Sequence, residues 1–333
     1  MQYFFWFWFH VFKKANFIIR SRRIETKRAH QLLDAIEKNM NGRFNPKTKR
    51  KIAVSYGIYN PMICDAFAGL HGRLTNDDEK KRYIHYFICS SLFDDFTDDE
   101  LISEEQLKEL SFQPAQYNAE TFDEKAFQRC HLLLRNFVKN KSSYDRISQE
   151  LYDAQMQSKQ QSGSKLSNEE IKQITFNKGG NSVLLCRYYL EFSPDRAEDT
   201  CWYTIGTLIQ LTNDLYDIYK DLQDDISTLP NRMTNAVRFE EFFIERIHEM
   251  KKAIQILPYS FKRKKEFSLS MAGIYSFGLI AIHQLKEIQR DAGQLPDLKT
   301  LPRKSLIIDM EKRSNLMRWF KFTYRYAKLG DKL

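Results

Sequence analysis

Residues 94–100, DDFTDDE, place five carboxylates in seven positions: Asp94, Asp95, Asp98, Asp99 and Glu100. The preceding KKRYIHYFICSSLF reads as a helix, so the acids gather at a helix C-terminus, where the macrodipole is already negative. On that helix Asp94 and Asp98 are spaced i, i+4 and share one face, about 6 Å apart along the axis. Phe87, Ser90 and Ser91 continue the face backwards, so a small or aromatic surface leads into the carboxylates. A second station stands at 213–221, NDLYDIYKD. Asn213, Asp217 and Asp221 are spaced i, i+4 and i+8, with Gly206 and Gln210 extending the stripe towards the helix start. Such clustering is costly alone and becomes favourable when a divalent cation binds. Oxygen donors without His or Cys companions suit Mg²⁺. Two stations facing one another across a bundle would hold several Mg²⁺ ions and grip a ligand rich in anionic oxygens, a diphosphate above all. Lys220, inside the second station, is placed to meet those oxygens.

The elements that must position these groups are helical. Across 333 residues there are 8 prolines and 12 glycines, few for an all-β chain, and period-2 runs are scarce. Asn76, with Glu79 three residues on, predicts the start of the first acidic helix. Ser193 as cap and Pro194 at the first helical position predict the start of the second. Further helices are expected near 24–39, 50–72, 124–139, 143–160, 168–192, 235–255, 263–290 and 304–328. The expected organisation is an aromatic and basic N-terminal segment over 1–23, lid or membrane-interfacial, followed by one all-α domain over 24–333.

Composition narrows the class. The chain is 42% hydrophobic and 14% aromatic, which suits a large ring-lined core or cavity and argues against disorder. Its net charge of +9 fits a solvated Lys/Arg surface or an anionic partner. Cys64, Cys89, Cys130, Cys186 and Cys201 are scattered without a CxxC pair, which predicts reduced core thiols in a cytoplasmic protein. No uninterrupted apolar run reaches eighteen residues, so no spanning helix is expected. HExxH, GxxxxGK[ST] and GxGxxG are all missing, and no basic stripe suggests nucleic acid.

DDFTD at 94–98 resembles the first aspartate-rich motif, DDxxD, of class I terpene synthases, and NDLYDIYKD resembles their second metal motif, NDxxSxxKE. Asn213 and Lys220 match outright; Asp217 stands for the usual Ser or Thr, and Asp221 for Glu. The resemblance implies an isoprenoid-synthase helical bundle with a central active-site cavity. It implies metal-triggered ionisation of a prenyl diphosphate, with Mg²⁺ on Asp94, Asp95, Asp98, Asn213, Asp217 and Asp221. In TFNKGGNSVLLCRYYLE, Gly179 and Gly180 are expected to break or kink a helix, or to form an interhelical turn. In the resembled family a helix break beside the diphosphate helps trigger ionisation, which would make Lys178 the candidate sensor here. Arg325–Tyr326 resembles the C-terminal Arg-Tyr pair of bacterial members and would assist at the diphosphate. Phe87, Phe93, Phe176, Tyr188 and Trp202 are the rings that would line a pocket for the carbocation, each competing with a role in ordinary core.

Three other readings stand beside this one. Chain-elongating prenyltransferases share the fold but carry DDxxD at both stations. A squalene- or phytoene-type synthase, or one processing long prenyl chains, is favoured by the Asp217/Asp221 pair. A helical membrane-peripheral binding protein would use the aromatic start, MQYFFWFWFHVFKK, and the basic residues Lys13, Lys14, Arg20, Arg22 and Arg23. The expected partners are a prenyl diphosphate, a membrane surface touched peripherally by the N-terminus, and a second copy of the chain in a homodimer.

Overall fold

A computed structural model of the chain describes residues 2–163, 166–192 and 195–330. It is all-helical, with no strand among the described residues and one isolated bridge between Ser162 and Ile226. The residues group into two compact units, one of 1–142 with 188–193 and one of 143–187 with 194–333.

The first unit holds α1 (Gln2–Met40), α2 (Pro46–Tyr59), α3 (Asp65–Leu70), α4 (Asp77–Asp98), α5 (Glu104–Phe112) and α6 (Phe122–Phe137). The boundary expected at residue 23 falls inside α1, which runs unbroken for 39 residues. No Pro or Gly precedes Gly42, so nothing interrupts the backbone hydrogen bonds until Asn41 turns left-handed at φ 49°. A π-helical turn, Asn60–Cys64, joins α2 to α3. Asn76 caps α4 with the reciprocal Glu79 bond that its sequence predicted. The same Asn/Ser/Thr-x-x-Glu/Gln arrangement starts α5 at Ser103/Gln106 and α6 at Thr121/Glu124. Buried charge in this unit is paired. Glu25, 3% exposed, accepts from Tyr56 Oη at 2.6 Å and from Lys80 Nζ at 2.8 Å. That pairing ties α1 to α2 and α4.

The second unit contains α7 (Lys141–Ser158, whose first two residues belong to the first unit), α8 (Asn168–Leu185), α9 (Ala197–Tyr216), α10 (Ile218–Gln223), α11 (Ala236–Ile256), α12 (Phe261–Ala292), α13 (Arg303–Leu306) and α14 (Arg313–Tyr326). The α9 helix packs against α8, α11 and α12. It begins at Ala197; the predicted cap, Ser193 and Pro194, lies outside the described residues. The single helix expected over 304–328 is two, because Ile307–Lys312 leave helical geometry between α13 and α14. The α12 helix is long and apolar enough to cross a membrane by length and composition, though most of that window is buried inside the protein. Ser270, Gly273, Ser276 and Gly278 interrupt its apolar runs, so a search for an unbroken run passes over it.

Gly179 and Gly180 do not break their helix. The α8 helix continues through them to Leu185, and both are buried against α9. A Cβ on Gly206 would stand 2.3 Å from the Gly179 carbonyl oxygen, and one on Gly180 would stand 2.4 Å from the Tyr203 ring. These glycines let two backbones touch; they do not supply a hinge. Gly206→Ala therefore works against itself. It gains about 1 kcal/mol of helix propensity but drives a methyl into a backbone carbonyl that cannot rotate away, an overpacking cost of about 1–3 kcal/mol. Urea denaturation should show a net loss of stability. Gly69→Ala, on α3 with open space around the added carbon, should instead gain up to about 1 kcal/mol.

Candidate functional site

The first station closes α4, and Asp94 and Asp98 both lie on it as expected. Two side chains of α2, one turn apart, meet its carboxylates. Lys51 Nζ sits 2.9 Å from Asp94 Oδ2 and 3.9 Å from Asp95 Oδ1, and Thr48 Oγ1 donates a short hydrogen bond to Asp95 Oδ2. A lysine and a hydroxyl thus offset charge that the helix dipole opposes. Asp98 is exposed. Asp123, at the start of α6, has its carboxyl raised above the usual range by burial and by the nearby Asp95 charge. Phe87, 8% exposed, packs among Tyr56, Tyr59 and Tyr86, with centroids 5.4–6.2 Å away. Phe93, half-buried, lies one position before Asp94 on α4.

The second station straddles a joint instead of riding one helix. The α9 helix ends at Tyr216, Asp217 adopts φ −97° and ψ 4°, and α10 begins at Ile218. Hydrogen bonds nevertheless run through the joint, from Asp217 N–H to the Asn213 carbonyl at 2.9 Å and from Asp221 N–H to the Asp217 carbonyl at 2.8 Å. The four-residue register of Asn213, Asp217 and Asp221 is thereby kept. Asn213, Asp217 and Lys220 are exposed, and Asp221 is buried.

Asp214 is the residue that sequence reasoning passed over. It is 8% exposed and accepts from Gln210 Nε2 at 2.8 Å. Burial pushes its carboxyl up to about 6, against the Gln210 hydrogen bond and the Lys178 charge, with Asp217 adding to the rise. Burial likewise pushes Asp221 up to about 7, reinforced by Asp214 and Asp217 and opposed by Lys220. The inward row is Gln210, Asp214 and Asp221. Asp214 lies between buried Leu211 and Leu215, and that apolar neighbourhood was its available signal.

Lys178 is half-buried on α8, close enough to Asp214 to influence it. Phe176, one turn from Gly179, stacks on Phe242 at 6.2 Å with Arg246 beside both rings. Trp202 is fully buried, so it serves the core and lines no accessible pocket. Tyr188 lies in the 3₁₀ turn Cys186–Tyr189, whose last two residues belong to the first unit and whose first two belong to the second. In α14 Arg325 is exposed and Tyr326 is buried, yet the Arg325 guanidinium lies 5.4 Å from the centre of the Tyr326 ring, and the Tyr326 carbonyl accepts from Tyr275 Oη. Among the described residues, no three His, Cys, Asp or Glu side chains converge as a metal cage.

Burial raises Asp214 and Asp221 above the unfolded Asp value of about 3.9. The fold therefore holds protons that the unfolded chain gives up between pH 4 and 7, and unfolding free energy falls as pH rises through that window. In chelator, Asp221→Asn should stabilise the protein by on the order of 2 kcal/mol at pH 8 and by almost nothing at pH 4. Guanidinium denaturation at the two pH values measures the difference.

No family model matches this chain, and no curated protein matches it.

Proposed function

We propose that this chain is a Mg²⁺-dependent class I terpene synthase of the isoprenoid-synthase type, acting on a single prenyl diphosphate. The observation that carries the reading is the second station. There Asp214 and Asp221 are buried and held towards their neutral forms beside Asp217, with Lys178 and Lys220 close by. A carboxylate cluster that unfavourable is what a bound divalent cation relieves. The donors fit Mg²⁺ in kind, being carboxylate and amide oxygens without thiolate or imidazole. By the motif resemblance, each station would hold Mg²⁺ on its own donors, Asp94, Asp95 and Asp98 at one and Asn213, Asp217 and Asp221 at the other. When bound, Mg²⁺ neutralises charge on the departing diphosphate.

The chain's own residues account for the rest of the reaction. Lys220 and Arg325, both exposed cations, and Lys178 offer N–H donors to diphosphate oxygens, and Tyr326 supports Arg325 from the buried side of α14. The carbon–oxygen bond breaks with its electron pair leaving on the diphosphate, and an allylic cation remains. Aromatic faces would stabilise that cation and exclusion of water would delay its capture, the candidate rings being Phe87 and Phe93 on α4 and Phe176 on α8. Loss of a proton, or late addition of water, completes a hydrocarbon or an alcohol.

Asp217 favours a second reading, because a carboxylate replaces the family's hydroxyl and makes an Asp217/Asp221 pair like that of head-to-head synthases. Purified protein with Mg²⁺ and prenyl diphosphates of ten to thirty-five carbons separates the two readings by mass spectrometry. A product of unchanged carbon number, with rate first order in one diphosphate and indifferent to isopentenyl diphosphate, supports the cyclase. A doubled skeleton assigns the head-to-head reaction, and a longer diphosphate assigns elongation.

Asp94→Ala, and Asn213→Ala with Asp217→Ala, should each cut diphosphate release about a hundredfold or more while far-ultraviolet circular dichroism stays near wild type. Undiminished turnover in these variants, or in excess chelator, would end the metal-ionisation mechanism.

A further inference from the structure

The α1 helix carries an outward surface that the proposed chemistry does not use. Phe4, Phe5, Phe9, Phe12 and Ile19 are 49, 67, 67, 56 and 58% exposed. Phe5, Phe9, Phe12, Asn16 and Ile19 recur at helical spacing, so they form one stripe. Phe7 and Val11 on the opposite side are buried, which fixes the direction the stripe faces. Beside it runs a row of exposed cations at seven-residue intervals, Lys13, Arg20 and Lys27, with Arg23 next to them. None of these four has a carboxylate partner among the described residues. The first acid in the sequence is Glu25, which is buried and held by Tyr56 and Lys80.

The geometry points to α1 as a docking helix for an anionic lipid surface, lying in the interface plane. Residues 2–12 contain no Lys, Arg, Asp or Glu, so the leading turns are uncharged and mainly aromatic, with Gln2 and His10 the polar exceptions. The following turns offer cations on long stems that reach headgroup phosphates while their methylenes stay with the acyl boundary. Phe4 to Lys27 spans about 35 Å of helix, ample for several headgroups. A bilayer surface accepts both parts at once. A second copy of this face does not, because pairing would set one row of cations against the other.

Co-sedimentation of the full chain with phosphatidylcholine vesicles, with and without about one third phosphatidylserine, tests the assignment. Wild type should bind the anionic vesicles and be released by salt. Phe5→Ser, Phe9→Ser and Phe12→Ser together should weaken that binding about tenfold or more. Lys13→Glu, Arg20→Glu and Lys27→Glu together should remove the preference for phosphatidylserine. All six positions are exposed, so melting temperature should hold; Phe9→Ser alone supplies a milder variant with the same expected direction. Equal binding to both vesicle types, or none, overturns the assignment. So does a dimer, seen by sedimentation velocity, that the Phe substitutions dissociate without changing vesicle binding. The readout uses no catalysis, so it stands or falls apart from the terpene synthase reading.

Discussion

The close approach of α8 and α9 at Gly179 and Gly206 is the constraint on which the second unit rests. Two helix backbones can meet at carbonyl distance only where neither carries a Cβ, and α9 is also the helix that packs against α11 and α12. The same contact sets the distance between Lys178, on the residue before Gly179, and Asp214, two turns beyond Gly206. Gln210 lies between them, its Cβ facing Gly179 and its amide donating to Asp214. Placement of the polar row is therefore a by-product of helix packing, with no loop involved.

The two stations manage crowded negative charge by different means. At the end of α4 a lysine and a threonine from α2 meet the carboxylates directly, and the acids there are only partly buried. At the α9–α10 joint, Asp214 and Asp221 are deeply buried, and a raised proton affinity replaces pairing. Desolvation makes ionisation costly there, and Lys178 and Lys220 offset only part of that cost. The first arrangement yields a locally balanced surface, the second a pair of carboxyls whose charge depends on pH near neutrality.

What the sequence disclosed was what local rules govern. The Asn76/Glu79 box and the shared face of Asp94 and Asp98 depend on residues three and four apart, and both are present on α4. Helical character throughout was legible for the same reason. Non-local facts were not. Gly179–Gly180 read as a breaker because a glycine pair looks alike whether a turn or a neighbouring backbone requires it. Asp214 hid among leucines because its burial is decided by helices far along the chain. Thr48 and Lys51 gave no hint of facing Asp95 and Asp94, and the bend at Asp217 left the hydrogen-bonded register, and so the spacing, unchanged.

The five free cysteines, all buried, have a kinetic meaning. Burial raises Cys89, Cys130 and Cys201 above the ordinary thiol range, so little reactive thiolate exists while the chain stays closed. An alkylating reagent must wait for the surrounding helices to part, and its rate then counts openings. Cys64, Cys89 and Cys130 lie in one compact unit, Cys186 and Cys201 in the other. The chain thus contains a separate internal clock for each half, and comparing their pace reveals whether the two breathe as one cooperative body or independently.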